Sequence, residues 1–485
     1  MVTNLEDEEK EKFMLRKDIT YLFILVLAAA LAFGNKTSAS AAEEDSVYDA
    51  IDQYLHKEAV EEHIPGMSVV IVDKDKVLFS NTYGNCSSID APFIIGSNSK
   101  SFTAAAVMQL VEQDRIGLDE PISKYLPNAR EGDNITVRQL LNHTSGISTY
   151  DTQDNYKVSS KQGTYVYANA NYGLLGQIVE AVSGIPYCDY VKTHIFEPLE
   201  MEHTFTSLEE AKNNGLMPGY RNYFGLMIPE ELPYPDADSR GWLSIPAGYI
   251  LSSASDMGKY LQFYLNNGAG ILQPQSIQTM FYDNVKVSED RSYGFGWGVM
   301  DNYPETVLSH GGLVENYITH MFILPKSEIA AVILINDNDY FVANDMTGTM
   351  LNGVFAMLFG EEPTYSNKSS YGMKHLIFDG LYLVIVILCI LPLLLFRKWK
   401  KRLNDRKKAK VIIGFTLFHI MLPTVLLLVP RMLGTPMSVV KGFVPDFFII
   451  LVGSASIAYG TGLLKIYYKV QLKHSKMQET HAWID

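Results

Sequence analysis

Phe93-Ile-Ile-Gly-Ser-Asn-Ser-Lys-Ser-Phe-Thr103 leads into an apolar helix expected from Ser99 to Glu112. Within it, Ser97-Asn98-Ser99-Lys100 sets a hydroxyl and an amine three residues apart. At a helix start, residues at that spacing share a face, so Lys100 lies beside the Ser97 hydroxyl. A serine hydroxyl is a weak nucleophile until a neighbour takes its proton. The helix N-terminus favours the negative charge that develops on attack. Ser97 is therefore the candidate nucleophile and Lys100 its candidate proton partner. Ser-x-x-Lys also occurs by chance in many chains, so the surrounding sequence decides.

Upstream, Val47, Ile51, Tyr54 and Leu55 form one stripe of a helix over 46–62, which Pro65-Gly66 ends. Met67–Val72 and Val77–Phe79 read as a hairpin turning at Asp73–Lys76. A stretch of helices and loops runs to about residue 285. Strand character returns at Tyr293–Val299, Thr306–Leu308, Tyr317–Leu324 and Ala330–Ile335, before a closing helix over Phe341–Phe359. Strands at both ends with helices between them imply an α/β fold. Its antiparallel sheet is assembled from distant parts of the chain and flanked by helices, with a helical subdomain inserted and the active site at the junction.

Further motifs follow the nucleophile segment in order. They are Ile135-Thr-Val-Arg-Gln-Leu-Leu-Asn-His-Thr-Ser-Gly146, Tyr167-Ala-Asn169 with Tyr172-Gly-Leu-Leu-Gly176, Pro246-Ala-Gly248 with Ser252 to Asp256, Tyr293-Gly-Phe-Gly-Trp297, and His310-Gly311-Gly312. Together they resemble the serine β-lactamase and penicillin-binding-protein superfamily, in particular its class C β-lactamase and D,D-peptidase branch, over about residues 45–360. Tyr-x-Asn is similar to the family's second motif. His310-Gly311-Gly312 is similar to the third, written Lys-Thr-Gly in many members and His-x-Gly in others. The resemblance implies acyl transfer to Ser97 followed by hydrolysis, with no metal and no cofactor. It implies that Lys100 and Tyr167 share the proton traffic, the Tyr167 phenol being acidified by nearby cations. Asn169 would orient Lys100 and the substrate amide. His310 would supply a hydrogen bond or charge near Tyr167, and the backbone N–H groups of Ser97 and Leu313, the residue after Gly312, would form an oxyanion hole. His143 is expected to be a hydrogen-bonded structural histidine, and Trp297, Tyr249 and Phe224 walls or core.

The two ends of the chain have a different character. Apolar residues make up 47% of the 485, and the excess is terminal. Arg16 and Lys17, the apolar run Tyr21–Phe33 and the small residues at Ala39-Ser40-Ala41 describe a secretory signal over 1–41, with an uncleaved signal anchor as the competing reading. The acidic opening before Met14 is unusual for such a signal. Three apolar spans follow, about 376–396, 411–430 and 443–464, each close to the ~20 residues that cross a bilayer. Nine basic residues lie within 397–410, and Lys465, Lys469, Lys473 and Lys476 follow the third span. The positive-inside bias then places 42–360 outside a bacterial cell membrane as the hydrolase domain. Residues 361–374 read as a linker, 375–470 as a three-helix anchor in the lipid bilayer, and 471–485 as a cytoplasmic tail.

Residues 397–485 hold fifteen Lys or Arg against four Asp or Glu, so the chain's net −14 hides about −25 over the first 396 residues. Such a field repels polyanions and argues against a nucleic-acid partner. Cys86, Cys188 and Cys389 show no metal-ligand spacing and no disulfide framework. A signal, a hydrolase domain and three C-terminal spans in series resemble the membrane-anchored, prodrug-activating D-asparaginyl peptidases of nonribosomal peptide pathways, such as the colibactin maturation and zwittermicin peptidases. This implies a small-molecule or peptide substrate carrying a D-amino acid. Asn316, in Leu313-Val-Glu-Asn-Tyr317 where many members have Pro-Gly-Phe, would then bind a D-Asn side chain; a residue tolerant of positive φ is the plainer reading. A cell-wall D,D-carboxypeptidase, a D-alanyl esterase and a penicillin sensor with a stable acyl-serine need the same residues and stay open here.

Overall fold

The computed structural model describes residues 47–341, 343–365, 368–401 and 408–481. The signal segment expected over 1–41 lies outside them. Along the described chain the strands are β1 (Gly66–Asp73), β2 (Val77–Gly84), β3 (Phe93–Ile94), β4 (Thr204–Phe205), β5 (Tyr220–Tyr223), β6 (Leu226–Pro229) and β7 (Leu251–Ser252). There follow β8 (Val285–Lys286), β9 (Arg291–Tyr293), β10 (Gly298–Met300), β11 (Val307–Val314), β12 (Tyr317–Leu324), β13 (Ile329–Ile335) and β14 (Asp337–Asn338).

An antiparallel sheet of order β2-β1-β13-β12-β11-β10-β9-β8 forms the backbone of the domain. β1 pairs with β13, Val70 opposite Val332, so the first and last long strands lie side by side. Both strands are mostly apolar, Ser68 being the polar residue inside β1, because both faces of the sheet are covered. Alternation then sorts their residues. Val70, Val72, Val332 and Leu334 join a core with the helices Ser99–Glu112 and Ala254–Leu265. Met67, Val69, Ile71, Ile333 and Ile335 join a second core with Ile51, Tyr54, Leu55, Met350 and Val354 of the helices Val47–Glu61 and Ala343–Leu358. The sheet is thus sandwiched between the inserted helical region and a pair of terminal helices.

Two elements differ from expectation. The strand expected over Tyr293–Val299 is two short strands, β9 and β10, separated by a turn in which Gly294 N–H donates to the Trp297 carbonyl at 2.8 Å. Gly296 sits there at φ +77°, and a Cβ on it would stand 2.8 Å from Ser101 Cα, so the turn lies directly on the nucleophile helix. The strand expected at Thr306–Leu308 continues to Val314 and carries His310-Gly311-Gly312 in its ladder.

Among the described residues three helices are long and apolar enough to cross a membrane: Tyr371–Leu394, Val411–Met432 and Pro445–Ser475. The first belongs to a helix that begins at Lys368, inside the stretch expected as a linker. The hydrolase domain is fastened to them through polar groups. His375 Nε2 lies 2.8 Å from Asp339 Oδ2. The buried Arg221 guanidinium pairs with Glu230 at 3.0 Å and donates to the carbonyls of Lys441 (2.5 Å) and Gly442 (2.7 Å), between the second and third spans. Phe224, expected as wall or core, is half exposed and packs edge-on to Tyr382 of the first span. Arg221→Ala is expected to leave the hydrolase core folded while accelerating amide hydrogen exchange over 437–443. Unchanged protection of that loop would show that Arg221 does not hold it.

Candidate active site

Ser97 sits in a single 3-10 turn, Gly96–Asn98, that runs into the helix Ser99–Glu112. Gly96 has φ +55°, and a Cβ on it would lie 2.5 Å from the Leu313 nitrogen. On the facing strand, a Cβ on Gly312 would lie 2.1 Å from the Ile95 carbonyl oxygen and 2.2 Å from Thr319 Oγ1. Only two glycines allow β11 to cross the nucleophile turn this closely. Thr319 fastens the crossing: its hydroxyl donates to Ile95 O at 2.7 Å and accepts from Asn98 Nδ2 at 3.1 Å. The crossing brings the main chain at Ser97 and the Leu313 nitrogen to the same edge of the site.

Lys100 is fully buried. Its Nζ lies 3.0 Å from Ser97 Oγ, 2.8 Å from Asn169 Oδ1 and 2.5 Å from the Ala247 carbonyl oxygen. Burial holds its pKa well below that of an ordinary lysine. A neutral amine satisfies this geometry fully: two N–H groups go to Asn169 and Ala247, and the lone pair faces the serine hydroxyl. Asn169 is presented from the first turn of the helix Asn169–Ser183.

Tyr167 Oη donates to Ser97 Oγ at 2.8 Å. Its pKa is raised, burial outweighing the hydrogen bond to Ser97. The expectation that nearby cations acidify this phenol is corrected here, because burial is the largest influence on it and raises its pKa. His310 is corrected in the same sense. Burial above all pushes its imidazole down to about 3, so it carries no charge. Its Nδ1–H donates to Gly311 O at 2.8 Å and its Nε2 accepts from Tyr293 Oη at 2.9 Å. Its ring centre stands 6.5 Å from that of Tyr167.

His143 is buried at φ +59° beneath Tyr167, ring centres 4.4 Å apart. Its Nδ1 accepts from Ala168 N–H at 3.3 Å and Asn171 Nδ2 at 3.0 Å. It holds the Tyr-x-Asn segment, as a structural histidine should. Trp297 is buried in the core beside Tyr264 and Phe281.

Asn316 lies in the turn from β11 to β12, buried, with Nδ2 donating to the Glu230 carbonyl at 2.9 Å. It borders a pocket of about 280 Å³ whose wall runs from Ile94, three residues before the nucleophile, through Tyr249 to Glu315 and Tyr317. Glu315 accepts a hydrogen bond from Tyr249 Oη at 2.9 Å. Glu230 and Glu231 also line the pocket, paired with Arg221 and Lys212. Sequence reasoning did not assign roles to the Ala247 carbonyl, Tyr293, Thr319 or Glu315. The Pro246-Ala-Gly248 and Tyr293–Trp297 stretches carried the signal for the first two.

A serine hydroxyl clasped between a buried amine and a buried phenol, at the seam of a sheet and a helical region, defines an active-serine hydrolase. Residues 48–351 match the Beta-lactamase family model, and the chain belongs to that family. Protein flp of Staphylococcus aureus (strain MW2) is 25% identical over 328 residues, covering 60% of this chain and 64% of that protein. The chain thus spans less than two thirds of flp. The octameric penicillin-binding protein homologue from Pyrococcus abyssi is 27% identical, with a TM-score of 0.58 over 65% of this chain and 78% of that one. D-amino acid amidase from Ochrobactrum anthropi SV3, complexed with D-phenylalanine, shares the fold at 21% identity, with a TM-score of 0.56 over 65% of this chain and 99% of that one.

Gly312→Ala is expected to force β11 off the nucleophile turn, costing about 2 kcal/mol or more of stability and most of the activity. Thermal melts and turnover check this together. A variant with native stability and rate would show that the crossing tolerates a side chain.

Proposed function

We propose that this chain is a membrane-anchored serine peptidase that removes an N-acyl-D-amino-acid cap, with D-asparagine as the leading residue, from an exported nonribosomal-peptide-type prodrug. The observation that carries the chemistry is the buried Lys100 amine, its pKa held well below that of an ordinary lysine, 3.0 Å from Ser97 Oγ. Lys100 takes the hydroxyl proton as Ser97 attacks the amide carbonyl. The backbone N–H groups of Ser97 and Leu313 receive the developing oxyanion. Tyr167, which keeps its proton at rest, passes it to the leaving amine and is recharged from Lys100. Water then hydrolyses the acyl-serine by the reverse route. Asn169 keeps the amine aimed at the serine, and Gly312 allows the oxyanion strand to approach.

Three features support the substrate. The related fold of D-amino acid amidase accommodates a D-amino acid. The third motif holds a neutral His310 where many members have lysine, so it offers no fixed cation to a substrate carboxylate such as the free C-terminus of a cell-wall peptide. The pocket beside the oxyanion strand is rich in acceptors, with the Glu315 carboxylate and the Asn316 carboxamide on its wall. Such a pocket suits a side chain that donates N–H bonds and disfavours an acidic one. The basic flanks of the spans favour a topology with the hydrolase outside the cell.

Ser97→Ala should lower hydrolysis to below about a thousandth of the wild-type rate. Offered to the full-length protein in membranes, an N-myristoyl-D-Asn amide should be cut about ten-fold or more faster than its D-Asp, D-Ala or L-Asn counterpart. Equal rates, or preference for a D-Ala-D-Ala peptide, would replace this reading with the cell-wall one. Because Lys100 acts as the free amine and its pKa is lowered, kcat/KM should fall as pH drops through that pKa. Tyr167 must stay protonated and its pKa is raised, so no alkaline loss is expected between about pH 7 and 9. A decline across that range would reverse the two roles.

A further inference from the structure

β5 and β6 form a hairpin with the two-residue loop Phe224-Gly225, Tyr223 standing opposite Leu226. Both loop residues have positive φ, +57° and +81°. A turn of that kind prefers Asn-Gly, because a bulky side chain is strained in the left-handed region. Strain of this sort persists where function requires it. Phe224 is 40% exposed and belongs to neither core of the hydrolase domain. The loop is nevertheless held firmly. Asn222 Oδ1 accepts from Gly225 N–H at 2.8 Å and its Nδ2 donates to Asp339 Oδ2 at 2.9 Å, while the Tyr223 hydroxyl donates to Glu230 at 2.6 Å. β6 is the outer strand of the sheet β14-β5-β6, yet it reads Leu226-Met227-Ile228-Pro229 with no charge. Leu226 is 66% exposed and Ile228 43%, and alternation puts both on one face. In water such an edge invites pairing with other chains.

The place of the hairpin identifies what covers it. Its loop lies against the first apolar span: the Phe224 ring is 6.1 Å from that of Tyr382, and a Cβ on Gly225 would stand 3.8 Å from His375 Cγ. In the first and third spans Asp379 and Asp446 are the last charges before the uncharged runs 380–396 and 447–464. The second of these is about 27 Å of helix, close to the thickness of the hydrocarbon layer. Tyr382 and Phe447 stack with ring centres 5.8 Å apart, so both mark one level, just inside the lipid boundary nearer the hydrolase. Phe224 stands at that level.

We propose that the β5–β6 hairpin rests in the bilayer surface on the hydrolase side, with Phe224, Leu226 and Ile228 entering the lipid and the backbone staying in the hydrated headgroup layer. At that depth the free edge of β6 keeps its hydrogen bonds to water and headgroups, which the hydrocarbon would deny it. The apolar side chains gain from burial at the boundary. β6 runs directly into Pro229, Glu230 and Glu231 of the pocket beside the oxyanion strand, so the hairpin holds that pocket near the membrane surface. A substrate with an acyl tail is concentrated there. The lipid contact rests on the three helices being membrane spans and not on the identity of the cap.

Full-length protein carrying the photoreactive residue benzoylphenylalanine in place of Leu226, Ile228 or Val77 is irradiated in nanodiscs of phosphatidylcholine and phosphatidylglycerol, and its peptides are read by mass spectrometry. Val77 is 54% exposed but pairs with Val72, about 20 Å along β1 from the Gly66 end that adjoins β14. Lipid adducts at 226 and 228 should exceed those at 77 by about ten-fold or more. Labelling of Ser97 by an active-serine probe shows that each protein is folded, and if one of the two hairpin substitutions fails it, the other decides. Crosslinks from 226 and 228 to protein instead, either a second copy or the chain's own first 46 residues, would overturn the proposal. So would lipid adducts no more frequent than at 77. The readout needs no cleavage of an acyl-D-Asn amide, so this proposal and the substrate reading fail separately.

Discussion

A primary amine closed off from water, with no carboxylate among its partners in the described residues, is the constraint around which the catalytic end of this molecule is organised. Removing the Lys100 ammonium from solvent costs more than one serine, one amide oxygen and one carbonyl return. Burial therefore favours the base form of the group. Its neighbours follow suit: the Tyr167 phenol keeps its proton, and His310 and His143 remain uncharged for the same reason. The resting site is polar and closely hydrogen-bonded. Charge arises only once attack begins, which is when backbone N–H groups at the seam are of use.

That arrangement depends on how nearly two stretches of main chain meet. Gly96 and Gly312 remove side chains from a crossing that Thr319 then fastens from the neighbouring strand. The same β11–β12 unit ends in the turn holding Asn316, whose amide bonds to the Glu230 carbonyl; Glu230 in turn pairs with Arg221, which grips the loop between two membrane spans. A continuous series of short polar contacts therefore joins the membrane-side loop to the strand beside the nucleophile.

Much of this was legible in the sequence where the signal is local. The nucleophile helix, Ser99–Glu112, and the strand Tyr317–Leu324 have the bounds that periodicity gives. The convergence of Ser97, Lys100, Tyr167 and Asn169 was readable from ordered motifs. β11 was read too short because Gly311-Gly312 lowers strand propensity just where close approach requires glycine. The break at Gly294–Trp297 was missed because an alternating apolar pattern hides a turn that packs against a helix. Protonation states were not legible at all. They depend on burial, which tertiary packing decides: the Ala247 carbonyl that meets Lys100 is 147 residues from it along the chain. Asn316 shows the same limit, since its identity suggested a ligand contact while its nitrogen is committed to residue 230.

The pairing of β1 with β13 also has a bearing on how the molecule comes into being. The β1–β2 hairpin displays an apolar strand edge that finds its proper neighbour only after about 250 further residues have been made. Until then that edge is open to pairing with other chains. A nascent chain that stalls before residue 329 would therefore carry its complete nucleophile segment and still be a hazard to itself, which makes assistance from a holding chaperone a natural requirement of this topology.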